Sequence, residues 1–362
     1  MTISATTEAL GVALAANEPV ILWGPPGSGK STIVSRIAEF YGWPIEVVIA
    51  SIREPSDFAG LPFVLNGSVV LAPPRWAAAL SEVEHGIVFF DELTTAPPTV
   101  QAALLRVPIE RIVGDTRLGA GVRVVAAANR STDALGAWEL SAPTANRFCH
   151  LEWQPSAFDI SDGFIGSFPD VVAPRLPDDW TRTSPLVRAE IGGFLRHRPG
   201  LVSDLPDDPV RAGRAWPSPR TWDMAARLLA AARSAAASDE CTDLLVAGCV
   251  GAGAAHELLT WRRSLDLPDP EDVLADPPSI KIPRRADVAF SMLASVVAAV
   301  VAHNTPDRWE RAWDVVHQFV KADKHDVAAI AARQLARNRP TGGKPPAFVA
   351  DLLPLLQDAG LA

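Results

Sequence analysis

The apolar run Pro19-Val20-Ile21-Leu22-Trp23 passes directly into Gly24-Pro25-Pro26-Gly27-Ser28-Gly29-Lys30-Ser31, and a helical pattern then fills 32–40. This order commits the chain to a strand, a tight turn and a helix, in the pattern G-x-x-x-x-G-K-[ST] that cradles phosphate. Glycines let backbone N–H groups turn inward onto phosphate oxygens, Lys30 can reach the terminal phosphates, and Ser31 offers a hydroxyl to Mg²⁺. The following helix points its positive dipole end at the same anion. Residues Gly24, Pro25, Pro26, Gly27, Ser28, Gly29, Lys30, Ser31 and Thr32 are therefore the expected nucleotide-binding set, with ATP or GTP as ligand.

Short β-branched runs alternate with helical patterns as far as Trp153, with strands expected at 20–23, 45–49, 86–90, 122–127 and 148–153. That alternation predicts an α/β fold with a five-stranded parallel sheet. Two hairpins interrupt it, one turning at Asn66-Gly67 and one at 111–118. Beyond Gln154 the texture changes. The segment 155–185 is rich in Pro, Asp and Gly and reads as a connection with little regular structure. Helices are expected at 186–196, 221–237, 241–263, 285–303, 306–322, 326–338 and 347–359, with loops at 205–219 and 266–283. Three parts result: an α/β core over 1–155, a linker and helical lid over 156–265, and a helical extension over 266–362.

At 362 residues the chain exceeds one small core, and 48% apolar with 21% charged residues describes a globular protein. A net charge of −9 argues against a broad phosphate-backbone surface and ranks protein above nucleic acid as a partner. Cys149, Cys241 and Cys249 have no metal-ligand or disulfide spacing. The N-terminus has no secretory pattern, so the cytosol is the expected compartment. The apolar run 288–302 is too short for a membrane span and predicts a buried helix.

Gly86-Ile-Val-Phe-Phe-Asp91-Glu92 ends an apolar strand in two carboxylates. At the carboxyl edge of a parallel sheet they would face the phosphate loop, Asp91 holding the Mg²⁺ shell and Glu92 polarising the attacking water. Taken alone, the pair would better suit a solvated strand end or a helix N-cap; paired with the loop at 24–31, it favours the site. A third apolar strand ends at Asn129-Arg130, and Ala145-Asn-Arg147-Phe148 precedes the fifth. Trp216-Pro-Ser218-Pro219-Arg220 opens a long helix, with Ser218 as its cap.

The ordered set resembles the AAA+ ATPases. In that superfamily the resemblance gives Asn129 the part of γ-phosphate sensor, Arg147 that of an arginine finger completing the neighbouring subunit's site, and Arg220 that of a second sensor on its own subunit. Arg130 competes with Arg147 for the finger. Within the superfamily the segment Glu54-Pro-Ser-Asp57-Phe-Ala-Gly60-Leu-Pro62 and the second hairpin are similar to the MoxR family, the helix-2-insert branch that includes the magnesium chelatase motor subunit. The similarity spans about residues 10–265. It implies an ATP- and Mg²⁺-dependent motor in a hexameric ring, a chaperone for a partner protein or complex, an adaptor with a von Willebrand factor A domain, and a part in metal or cofactor insertion. Phe63 and Val64 on the first hairpin would either line a pore or pack on a neighbour. A nucleic-acid motor is the alternative, and a small-molecule kinase a more distant one.

Overall fold

The computed structural model describes residues 4–130, 138–166, 168, 170–265 and 267–349. The helix expected at 347–359 lies almost wholly outside them.

The first part of the chain runs α1 (Ala5–Ala15), β1 (Val20–Trp23), α2 (Lys30–Tyr41), β2 (Ile45–Ile49), α3 (Ser56–Ala59), β3 (Leu61–Leu65), β4 (Ser68–Ala72), α4 (Arg75–Ser81) and β5 (His85–Asp91). It continues through α5 (Pro98–Leu104), α6 (Val107–Glu110), β6 (Ile112–Val113), β7 (Thr116–Arg117), β8 (Gly121–Ala128), α7 (Ala142–Ala145), β9 (Cys149–Glu152) and α8 (Ala157–Gly166). Helices follow at α9 (Ser184–His197), α10 (Pro209–Ala212), α11 (Pro219–Ser234), α12 (Asp239–Val250), α13 (Ala252–Arg263), α14 (Pro270–Ala275), α15 (Ala286–Ala302), α16 (Pro306–Lys321) and α17 (His325–Arg337).

Five strands form one parallel sheet in the order β2-β5-β8-β1-β9. They fall where the alternation predicts them. The middle strands are apolar on both faces, with Val20, Ile21, Leu22, Val88, Phe89, Val124 and Val125 fully buried, as a parallel sheet covered by helices requires. The two expected hairpins are β3–β4 and β6–β7. The first turns through Asn66 and Gly67, both with positive φ, the pattern of a tight primed turn. Phe63 and Val64 on β3 are 44% and 71% exposed.

Two compact units divide the chain: Met1–Asp178 with Ser203–His256, and Asp179–Val202 with Glu257–Ala362. In the first, α11 and α12 pack on α1, and α12 also packs on β9. In the second, α9 packs along α15, and α16, α17 and α14 complete a bundle around Trp309, Trp313 and Phe319. The run at 288–302 is the buried helix α15. Among the described residues no helix is long and apolar enough to cross a membrane, and no strand follows β9.

Four expectations about local structure are corrected. The connection at 155–185 contains α8, whose start is fixed by reciprocal bonds between Ser156 and Asp159: Asp159 N donates to Ser156 Oγ and Ser156 N to Asp159 Oδ2, both at 3.1 Å. The single helix at 241–263 is two, broken at Gly251, whose φ of 81° lies in the left-handed region that helices do not use. The loop at 205–219 holds α10, capped by Asp208, and the loop at 266–283 holds α14, capped by Asp269 with Pro270 in its first turn.

Candidate nucleotide site

Loops leaving the carboxyl ends of β1, β5 and β8 converge beside one another because those strands are parallel neighbours. Gly24 N donates to Ala128 O at 3.2 Å, which ties the loop's first residue to the end of β8. A side chain on Gly24 would collide with the Trp153 carbonyl, so only glycine fits here. Trp153 Nε1 donates to Ser28 O at 2.8 Å and braces the loop from the other side.

Lys30 is buried and donates from Nζ to Gly24 O at 2.8 Å, Pro25 O at 2.9 Å and Asn129 Oδ1 at 3.0 Å. Ser31 Oγ donates to Asp91 Oδ2 at 2.8 Å. The sequence-derived residues Lys30, Ser31, Asp91 and Asn129 therefore meet in one place. Glu92 takes a left-handed conformation, φ 57° and ψ 37°, which is uncommon for a residue with a side chain and recurs at functional sites. Its N–H donates to Asp91 Oδ1 at 2.9 Å, and its carboxylate accepts from Ser51 Oγ at 2.5 Å.

Two supporting residues escaped the sequence reading. Thr94 Oγ1 donates to Asn129 O at 3.0 Å and accepts from Asn129 N at 3.1 Å, so both backbone groups of Asn129 are clamped. Ser51, just past β2, holds Glu92. A hydroxyl residue past a strand end carries no motif, and only the pairing of β2 with β5 brings it to the carboxylate.

The arginines divide between the two ends of the sheet. Arg130 pairs with Glu152 at 2.6 Å, and Arg214 reaches the same carboxylate at 3.1 Å while stacking over the Trp23 ring at 3.5 Å. Arg147 lies at the other end. Cys149 pairs with Val20, so the turn before it sits off the amino ends of β1 and β9, a strand's length of about 13 Å from the loop. Arg147 Nη1 donates to Pro143 O at 2.6 Å, while its Nε is buried with no hydrogen-bond partner. Burial and then the nearby Arg220 cation pull the Arg147 pKa down. Arg220 Nη1 donates to Asn146 Oδ1 at 3.3 Å, beside Ser218 Oγ at 3.0 Å. Ser218 caps α11 as expected. The resemblance sends Arg220 to its own subunit's γ-phosphate; in this structure its side chain meets Asn146, near enough for its charge to act on Arg147.

The donor set suits a magnesium ion. The Ser31 hydroxyl and the Asp91 carboxylate are hard oxygens already in contact, and Mg²⁺ takes few protein ligands, filling its shell with phosphate and water. Among the described residues no group of three His, Cys, Asp or Glu could hold a metal, and all three cysteines are buried and free.

Residues 19–148 match the family model for an AAA domain of the dynein-related subfamily. Two curated relatives match about a third of the chain. One is named as the pathogenicity-locus regulatory protein WtsA of Pantoea stewartii subsp. stewartii, 33% identical over 118 residues, covering 31% of this chain and 36% of that one. The other is the Psp operon transcriptional activator of Escherichia coli K12, 32% identical over 127 residues, covering 33% and 39%. The chain thus spans less than two fifths of their length. A crystal structure from Cytophaga hutchinsonii ATCC 33406, solved under an ATPase designation, is 17% identical with a TM-score of 0.46, over 72% of this chain and 88% of that one. Fold, loop and family match together make residues 19–148 an AAA domain on the AAA+ P-loop fold, continued by a helical C-terminal region.

Proposed function

We propose that this chain is an ATP-hydrolysing motor of the MoxR type, working as a ring whose sites lie between subunits. The observation that carries the reading is the division of charge: Lys30, Ser31, Asp91, Glu92 and Asn129 gather at the carboxyl end of the sheet, and Arg147 and Arg220 gather at the other. At the phosphate end Arg130 and Arg214 are both engaged by Glu152, so in this reading a neighbour supplies the arginine finger, and Arg147 and Arg220 act there together. The hexameric ring follows from the resemblance.

In this reading Gly24 to Thr32 bind the phosphates. Ser31 and Asp91 hold Mg²⁺, which when bound neutralises charge on the phosphate oxygens. Lys30 exchanges its loop carbonyls for phosphate oxygen, and Asn129, clamped by Thr94, orients the water that Glu92 polarises. Ser51 donates to the Glu92 carboxylate and fixes its position. The helices at Ser203–His256 act as the lid. Phe63 and Val64 on the first hairpin either line a pore or pack on a neighbour; the client is a protein or complex that the motor remodels or matures, through an adaptor carrying a von Willebrand factor A domain. Metal or cofactor insertion is the process the resemblance suggests for it.

Glu92→Gln tests the chemistry: nucleotide binding persists and turnover falls by about 100-fold or more. Mixing Lys30→Ala with Arg147→Ala subunits tests the assembly, because each supplies what the other lacks and activity returns. Normal hydrolysis in the first case, or no rescue in the second, removes the corresponding part of the reading. The relatives named as regulators favour a second reading, in which the same motor works on a nucleic-acid complex; salt-dependent DNA binding by the ring would support it.

A further inference from the structure

His150 takes no part in the chemistry above, yet it joins the strand that feeds the phosphate loop to the turn that carries Arg147. Trp23, the residue before Gly24, donates from Nε1 to His150 Nδ1 at 2.9 Å. With Nδ1 accepting, the ring proton sits on Nε2, which bonds the Ala145 carbonyl at 2.9 Å. The His150 and Trp23 rings lie nearly parallel, 13° apart with centroids 6.0 Å apart, and Arg214 covers the other part of the indole. Burial pushes the His150 pKa down to about 4, so the imidazole is neutral and keeps this tautomer near neutral pH.

Ala145 is the last residue of α7. After it come Asn146, which receives Ser218 and Arg220, and Arg147 itself. Two hydrogen bonds through one ring thus span from the phosphate loop's lead-in strand to both arginines. The ring cannot rotate away without orphaning the indole N–H and leaving the Ala145 carbonyl only its bond from Phe148 N at 3.2 Å.

We infer that His150 is a positioning residue for the arginine edge: it fixes the turn at 145–147 against Trp23, so that Arg147 and Arg220 reach the neighbouring subunit in an orientation set by their own subunit's phosphate loop. The inference rests on the trans role proposed for Arg147.

The mixed-subunit assay can test it, because the two parents divide the labour. The Lys30→Ala subunit lends its arginines, and the Arg147→Ala subunit lends its phosphate loop. His150→Phe keeps a ring against Trp23 and removes both hydrogen bonds. Placed in the Lys30→Ala subunit, it is expected to cut the rescued activity about tenfold; placed in the Arg147→Ala subunit, it is expected to change it less than twofold. His150→Gln, which keeps an acceptor and a donor, is expected to retain most of the rescue in either place. Melting temperature and fluorescent-nucleotide binding of each variant check folding, and Trp23→Phe, which removes the indole donor together with part of the ring that Arg214 covers, repeats the test if His150→Phe does not fold. Equal losses in both placements, or none in either, overturn the inference and leave the trans reading standing. Failure of the unmodified parents to rescue each other takes down the trans reading and this inference with it.

Discussion

The two compact units spend their apolar residues in different ways. In the first, β1, β5 and β8 are buried on both faces, and their burial pushes polar residues to the strand ends, where Lys30, Asp91, Glu92 and Asn129 collect. In the second, α15 to α17 bury Val, Ala, Trp and Phe side chains along whole helix faces, and the ion pairs decorate the rim, as Arg308 does with Glu271 at 2.6 and 2.8 Å. A parallel sheet concentrates chemistry at one edge because every strand ends there. A helical bundle has no such edge, and its sequence reports packing without reporting a site.

Four experiments press on that contrast. The largest effect belongs to Lys30→Ala, expected to lower turnover on the order of 100-fold or more while leaving the melting of the helical unit unchanged; steady-state hydrolysis and calorimetry read the two. Trp309→Ala does the reverse. Trp309 is fully buried, with Nε1 bonded to Leu335 O at 2.8 Å, so its loss should destabilise the helical unit by about 3–5 kcal/mol in denaturant titration and leave nucleotide affinity alone. A matched fall in affinity would show that the units do not unfold separately.

Acid should separate the units next. His150 has a folded pKa of about 4 against an ordinary 6.5, so its contribution is whole above pH 6.5 and is lost as pH falls toward 4, by up to roughly 3 kcal/mol. In the helical unit the hydrogen bond from Arg285 holds Asp287 at about 2, against an ordinary 3.8. Its contribution is present above pH 3.8 and is lost between there and 2, by at most about 2 kcal/mol, and by less because Arg285 is solvent-exposed. Stability curves of His150→Gln and Asp287→Asn should flatten in those separate windows. The smallest effect is that of Ser156→Ala, about 1 kcal/mol or less, confined to fraying of α8 and visible in amide exchange.

The same contrast explains what could be read without coordinates. The strand–loop–helix order and the Asp91-Glu92 strand end are local patterns, so the sheet and the phosphate-side residues were legible. Thr94 and Ser51 were not, because each acts through a neighbour brought by strand pairing, 35 and 41 positions away in sequence. The helix break at Gly251 was hidden in a continuous apolar pattern, since one glycine inside such a run is tolerated as often as it breaks a helix. The start of α8 was readable in Ser156-Ala-Phe-Asp159 and was masked by the surrounding prolines and glycines. Arg220 was legible as a motif, while its hydrogen bond to Asn146, 74 positions away, was not.

The second unit takes 179–202 from the middle of the chain and the rest from beyond 257, which has a consequence for how the protein is made. As the chain leaves the ribosome, α9 emerges with Val187, Ile191 and Phe194 ready for burial, while its partner α15 is still about 90 residues from synthesis. The nascent chain must carry that uncovered stripe through the completion of α11 and α12. A shortened gene ending near 256 would make the exposure permanent, so trimming the chain to its nucleotide-binding part calls for excising 179–202 as well.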